Sequence, residues 1–149
     1  MVEKHKKFKG YALLKLLLFP AIVVGLLLIV SSFTSSEGKC VRLKTEEERI
    51  AYLTSYGWDV KSPAAAEQIV RLPHTFPTVL LEYNELQKEQ GFDLMRFAGK
   101  ELTLYVYTIT NYPEAKGHEV QCSLYFYKTR LVGADLHSTA IDGFMAPLL

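Results

Sequence analysis

Three features of this 149-residue chain predict an α+β fold in which an N-terminal transmembrane helix precedes a small antiparallel sheet packed with two helices on one face. The first is Leu16–Val30, fifteen residues without a polar side chain. The second is a pair of stretches, Thr45–Gly57 and Thr75–Gly91, whose apolar residues recur every three or four positions, the spacing of a helix face. The third is a change of period after Gly99, beyond which apolar and polar residues alternate as in half-buried strands.

With its flanks the apolar segment runs from Tyr11 to Phe33, interrupted by Lys15 and the Ser31-Ser32 pair. As a helix rising ~1.5 Å per residue it spans roughly 34 Å, enough to cross a hydrocarbon core of about 30 Å. Pro20 and Gly25 are better tolerated in a spanning helix than in a soluble one, and Lys15 can snorkel to the headgroups. Lys4, Lys6, Lys7 and Lys9 precede it against the single acid Glu3, so the positive-inside rule keeps residues 1–10 in the cytoplasm and sends the rest across. A cleaved secretory signal is the alternative, with Thr34 and Ser36 as small residues for cleavage, although the apolar run exceeds the usual core of ~7–15 residues. The organisation expected is a basic tail (1–10), a transmembrane helix (11–33), a small polar tether (34–39) and one extracytoplasmic domain (40–149).

Within that domain Cys40–Leu43 reads as a first extended segment. Thr45-Glu-Glu-Glu48 has the form of a capping box, and three acids in the first turn suit the helix dipole. Ile50, Leu53 and Tyr56 then face inward, Gly57 closes the helix, and Trp58–Val60 resumes extended chain. Ser62-Pro63 breaks the chain before a strand over Glu67–Leu72, which Pro73 ends. Thr75 is placed to cap the second helix, with Pro77 in its first turn and Val79, Leu80, Tyr83 and Leu86 along its inner side. Gly91 terminates it, and Phe92 and Leu94 fold back. Glu101–Asn111, His118–Tyr127 and Arg130–His137 alternate with period two and are joined by Tyr112–Gly117 and Lys128-Thr129, an antiparallel meander. Phe144 and Met145 are expected to enter the core and pin the last strand.

Composition narrows the function classes. The first 33 residues carry five lysines and one acid, leaving twelve basic and fifteen acidic residues beyond them. The outer part therefore has no basic surface for nucleic acid. No GxSxG, phosphate-cradling glycine loop, HExxH or CxxC is present, so no catalytic motif and no cofactor is indicated.

Four tyrosines carry the candidate binding surface. Tyr105, Tyr107, Tyr125 and Tyr127 fall on one sheet face if their strands pair in the simplest register. Such rigid rings with polar tips are enriched at recognition surfaces, though cross-strand aromatic pairing alone also accounts for them. Asp135 and His137 share a strand face, with His118 and Asp142 nearby in sequence. A metal would need three or four such ligands to converge, while simple alternation explains two. Cys40 and Cys122 both lie on the outer side. A disulfide between them would add ~4–5 kcal/mol in the chain-entropy model, and the alternative is two thiols with Cys122 buried in its strand.

The runs TEEERIAYLTSYGWDV (Thr45–Val60), YNELQKEQGFDL (Tyr83–Leu94), YTITNYP (Tyr107–Pro113) and DGFM (Asp142–Met145) together resemble an uncharacterised family of small domains from Firmicutes, chiefly Clostridia. The resemblance covers residues 41–146 and implies a short single-pass or exported protein with no assigned activity. A glycine-containing turn is expected near Lys128-Thr129, where this chain has none. The sequence thus points to a single-pass, membrane-anchored extracytoplasmic domain that is non-catalytic, held to the lipid bilayer by residues 11–33 and binding an envelope protein or glycan. The rival readings are a metal-dependent or thiol enzyme of the envelope using Asp135, His137 and Asp142, and a domain secreted after signal cleavage.

Overall fold

The first helix starts at its cap. Thr45 Oγ1 accepts from the Glu48 N–H at 3.3 Å, while Glu48 Oε2 accepts from the Thr45 N–H at 3.2 Å and from the Lys44 N–H. Those two backbone donors hold the Glu48 carboxyl below the usual carboxylate range. The computed structural model describes residues 41–113 and 117–148, and α1 within it is Glu46–Ser55. Gly57, at φ 86°, closes the helix in the left-handed region that a Cβ disfavours. The basic tail, the apolar segment 11–33, the tether and Cys40 lie outside the described residues. Among the described residues no helix is long and apolar enough to cross a membrane.

After α1 the chain passes a cis Ser62–Pro63 peptide into β1 (Ala66–Arg71). It continues through α2 (Thr78–Glu89) and a 3-10 turn (Leu94–Phe97) into β2 (Glu101–Ile109). β3 (Val120–Tyr127), β4 (Arg130–Ser138) and the short β5 (Met145–Ala146) follow. All five strands form one antiparallel sheet in the order β1-β2-β3-β4-β5. The expected three-stranded meander is its centre. Of the other expected extended segments, Val41–Leu43 and Trp58–Val60 contribute the single bridges Arg42↔Arg130 and Val60↔Ile109. At the β3–β4 turn Lys128 takes φ 58°, so a non-glycine residue occupies the position where glycine is usual.

The two helices lie on opposite faces, not on one as the sequence suggests. One face carries Tyr107, Ile109, Val120, Cys122, Leu124, Phe126, Leu131 and Leu136, closed by Leu53 of α1 with Ile50 beside it. The other carries Leu102, Tyr125, Tyr127 and Val132, covered by Leu80 and Tyr83 of α2 with Phe76 and Leu94. Both faces are apolar, and each large side chain removed from water contributes about 1.5–3 kcal/mol, so neither face can be left bare. Helices on both faces meet that requirement.

The buried side of α2 also differs from expectation. Leu80 and Tyr83 face inward as predicted, but Val79 is 77% exposed, and the fully buried residues are Asn84 and Gln87. Pro77 is the N-cap, without a side-chain bond from Thr75. Gln87 acts as a surrogate strand. Its Nε2 donates to the Ala134 carbonyl at 2.9 Å, and its Oε1 accepts from the Ala134 N–H at 2.8 Å. Its neighbour Gly133 makes this approach feasible, because a Cβ there would stand 3.1 Å from Gln87 Oε1 and from Leu94 Cδ2. Asn84 ties down the chain after α2, accepting from the Leu94 N–H at 2.7 Å and donating to Asp93 at 3.1 Å. The outer edge of β4 is thereby filled along its length: Val41–Leu43 at one end, Gln87 and Gln90 at Ala134, and β5 at Leu136–His137.

At the C-terminal end Leu148, 2% exposed, enters the core in place of Phe144 and Met145, which are 37% and 53% exposed. The Gln90 side chain binds the Leu148 N–H at 2.8 Å, and the Trp58 indole donates to the Leu148 carbonyl at 3.1 Å. Phe144 instead stacks on Tyr112, which stacks on Trp58, with centroids 5.1 and 5.8 Å apart. Replacing Gln87 by Leu leaves the Ala134 N–H buried without an acceptor, and urea unfolding of the variant should show a loss of about 1–3 kcal/mol. An unchanged midpoint would show that the edge does not depend on this amide.

Candidate functional site

The β2–β3 register decides where the four tyrosines go. Tyr105 is opposite Leu124, Tyr107 opposite Cys122, and Leu104 opposite Tyr125. Directly opposed residues share a face. Tyr105 and Tyr107 therefore point to the α1 face, while Tyr125 and Tyr127 point to the α2 face, and the single four-ring platform expected from the sequence does not form. Strand alternation cannot reveal this, because sliding one strand by a single residue sends its whole set to the opposite side.

On the α1 face the two rings serve Arg49, which is 9% exposed. Its Nε donates to the Tyr107 hydroxyl at 2.8 Å, and its guanidinium lies 3.8 Å over the centre of the Tyr105 ring. A nearly buried cation is thus held by a π face and a phenol oxygen, with no ion pair to a carboxylate among the described residues. Tyr105 reaches outward to Glu67 with its hydroxyl, at 3.0 Å. Burial raises the Tyr107 hydroxyl above its ordinary range against the opposing pull of Arg49. The sequence did carry a signal for Arg49, since it sits three, four and seven residues before the inward-facing Tyr52, Leu53 and Tyr56.

On the α2 face Asp135, 1% exposed, is the centre of a polar cluster. Its Oδ2 accepts from the Tyr83 hydroxyl at 2.5 Å, and its Oδ1 is 2.9 Å from His137 Nδ1. Buried Ser123 lies opposite Asp135 across the β3–β4 ladder. A proton on His137 Nδ1 would let the carboxylate accept from both neighbours. Burial, reinforced by the Asp135 charge, pushes the Tyr83 hydroxyl far above its ordinary range and raises Tyr125 in the same way. Chemically the cluster orients an imidazole with a buried carboxylate, the first half of a general-base arrangement.

The other predicted residues stand apart from it. Asp142 is exposed in the turn before β5, and His118 is exposed in the loop before β3. Among the described residues no three His, Cys, Asp or Glu side chains gather in a metal-holding group. Cys122 is wholly buried in the core of the α1 face, and burial followed by the Asp135 charge pushes its thiol well upward. Its pairing with Cys40 lies outside the described residues. Tyr127 packs on Phe97 with centroids 5.4 Å apart. No buried side-chain nitrogen or oxygen among the described residues lacks a partner.

Fold and cluster together define a small α+β domain, a five-stranded antiparallel meander with a helix on each face and a buried Tyr-Asp-His network. The chain belongs to the family described as Domain of unknown function (DUF4830), whose model matches residues 52–136, more than half of its length. That span takes in Tyr83, Gln87 and Asp135, while Arg49 and His137 fall just outside it. No curated protein and no solved structure matches the chain.

Two outcomes follow from these contacts. Tyr83→Phe withdraws one of the two donors from the buried Asp135 carboxylate and should cost about 1–3 kcal/mol in urea unfolding, with Tyr127→Phe as the mild control. Cys122 and the tyrosines at 52, 83, 105, 107 and 125 all have folded-state values raised above their ordinary ones. In each case the folded state holds the proton more tightly than the unfolded one. Their stabilisation is complete below pH ~8.5 and is lost as pH rises through the ordinary cysteine and then tyrosine values of about 8.5 and 10. Urea midpoints should be flat between about pH 6 and 8 and fall above it, and Cys122→Ser should delay the fall until near pH 10.

Proposed function

We propose that this chain is a single-pass membrane protein whose residues 40–149 form a non-catalytic extracytoplasmic domain, an accessory or binding module of the cell envelope. The observation that carries the reading is Leu16–Val30, fifteen residues without a polar side chain behind Lys4, Lys6, Lys7 and Lys9. A segment of that length and flank charge is stable across a bilayer with its basic end in the cytoplasm. The partner this reading requires is an envelope protein or glycan.

The non-catalytic part rests on how the reactive groups are used. The Cys122 thiol is wholly buried and held protonated, whereas a nucleophilic cysteine needs exposure and a lowered value. Asp135 spends both oxygens on Tyr83 and His137, and Asp142 takes no part in that pair. The rival reading, an envelope enzyme, is favoured by the 2.9 Å contact between Asp135 and His137. The hydroxyl beside them, on Ser123, is buried, and among the described residues no metal-holding group forms around the pair.

The test is topological. In spheroplasts expressing the full chain with a C-terminal tag, added protease should remove the tag without lysis, and sodium carbonate should leave the protein in the membrane pellet. Release by carbonate, or digestion only after detergent, would defeat the anchor. A mature N-terminus near Ser36 in the medium would support the secreted alternative instead.

A further inference from the structure

The two edges of the sheet are treated differently. The β4 side is filled by Val41–Leu43, by the Gln87 and Gln90 side chains, and by β5. The β1 side has no strand beyond it among the described residues. The carbonyl of Thr108 on β2 and the N–H of Thr110 just past its end both point to the β1 side, bonding Lys61 and Asp59. Leu72 donates to Lys100 in the same ladder. Alternation along an antiparallel pair then turns Gln68 and Val70 toward β2 and leaves the N–H and C=O groups of Glu67, Ile69 and Arg71 facing outward.

Those three outward residues are self-complementary. They share the sheet face of Tyr105, since Glu67 stands directly opposite it. A second copy of the strand, laid antiparallel about a two-fold axis through Ile69, sets Ile69 against Ile69 and Glu67 against Arg71 on each side. Every outward N–H and C=O then meets its counterpart. Opposite charges at directly opposed sites each favour pairing, and an isologous two-fold contact makes both at once. Edges meant to stay single are commonly blunted by lysine, proline, a bulge or a covering element. β1 has no lysine, proline or bulge within Ala66–Arg71; its charged residues Glu67 and Arg71 are complementary across the two-fold instead of self-repelling, and Ile69 between them is 66% exposed.

We propose that β1 is a homodimer interface, joining two copies of this chain edge to edge into one ten-stranded antiparallel sheet centred on Ile69. Within each copy Arg71 also meets Glu101 at 2.6 Å and Glu67 meets Tyr105 at 3.0 Å. These exposed contacts hold the two charged side chains on the shared face without burying them, so both remain available across the axis. The surface selects a second copy over an unrelated extended peptide because the charge order Glu-x-Ile-x-Arg reads the same after antiparallel reversal with its signs exchanged.

The experiment uses the full chain in native membranes, with Cys40→Ser so that buried Cys122 is the remaining native thiol. Cα atoms across a hydrogen-bonded antiparallel pair are about 5.5 Å apart, within reach of a disulfide. Mild oxidation should convert I69C to a covalent dimer, whereas V79C, at a still more exposed position on α2, should stay monomeric. Adding E67R or R71E to I69C should lower dimer yield roughly fivefold or more, and the E67R/R71E exchange should restore it, since each change acts twice across the axis. Ile69→Pro withdraws an outward N–H from an edge strand, so the variant should keep its far-UV spectrum yet run as a monomer in detergent. Three results would overturn the interface: I69C oxidising no faster than V79C, a dimer indifferent to the single reversals E67R and R71E, as one held through residues 11–33 would be, or I69C cross-linking to a different polypeptide.

Discussion

A sheet that is apolar on both faces has to be covered on both, and this constraint organises the domain. Tyr107, Cys122, Leu124 and Leu136 crowd one side, while Leu102, Tyr125 and Val132 crowd the other. A helix on either side follows, and so does the path of the chain: α1 precedes the sheet, and α2 must be inserted between β1 and β2 to reach the opposite surface. Because α2 arrives at the β4 side, it can present Gln87 to the strand edge as well as Leu80 and Tyr83 to the face. One helix thereby performs two tasks, covering a face and capping a strand edge.

The polar groups carried inside by this arrangement are satisfied by specific pairing. Arg49 rests on a tyrosine ring and a tyrosine hydroxyl, Asp135 on a phenol and an imidazole, and Gln87 on a main-chain amide. Each of these groups joins a helix to the sheet at a defined point. Apolar contacts alone would allow a helix to slide by a fraction of a turn, whereas losing a buried hydrogen bond costs its full desolvation. The polar contacts therefore set the docking register, and the apolar ones supply most of the driving force.

Much of the secondary structure was legible because its signals are local. The capping box at Thr45 and Glu48, the left-handed Gly57, and the three alternating strands each depend on residues within a few positions of one another. What eluded the sequence depends on distant partners. Val79, Leu80, Tyr83 and Leu86 and the set Leu80, Tyr83, Asn84 and Gln87 are both continuous stripes on one helix. Apolarity favours the first stripe, and the second is buried because Ala134 and Leu94 offer backbone groups that only amides can match. Phe144 looked like the anchor of the C-terminus by size, yet Tyr112 and Trp58 hold it in an outer stack, and Leu148 fills the core.

The chain's own order of residues determined the class of fold, the apolar N-terminal segment with its basic flank, and the lack of a recognisable catalytic motif, since these reside in composition and short-range periodicity. Tertiary structure alone decided that Tyr105 and Tyr107 face away from Tyr125 and Tyr127, that Asp135 meets Tyr83 and His137, and that, among the described residues, one sheet edge is filled while the other has no strand beyond it. The physical reason is common to all three. Strand register, helix side and edge coverage are relations between segments tens of residues apart, and a pattern of period two or 3.6 is identical for either outcome.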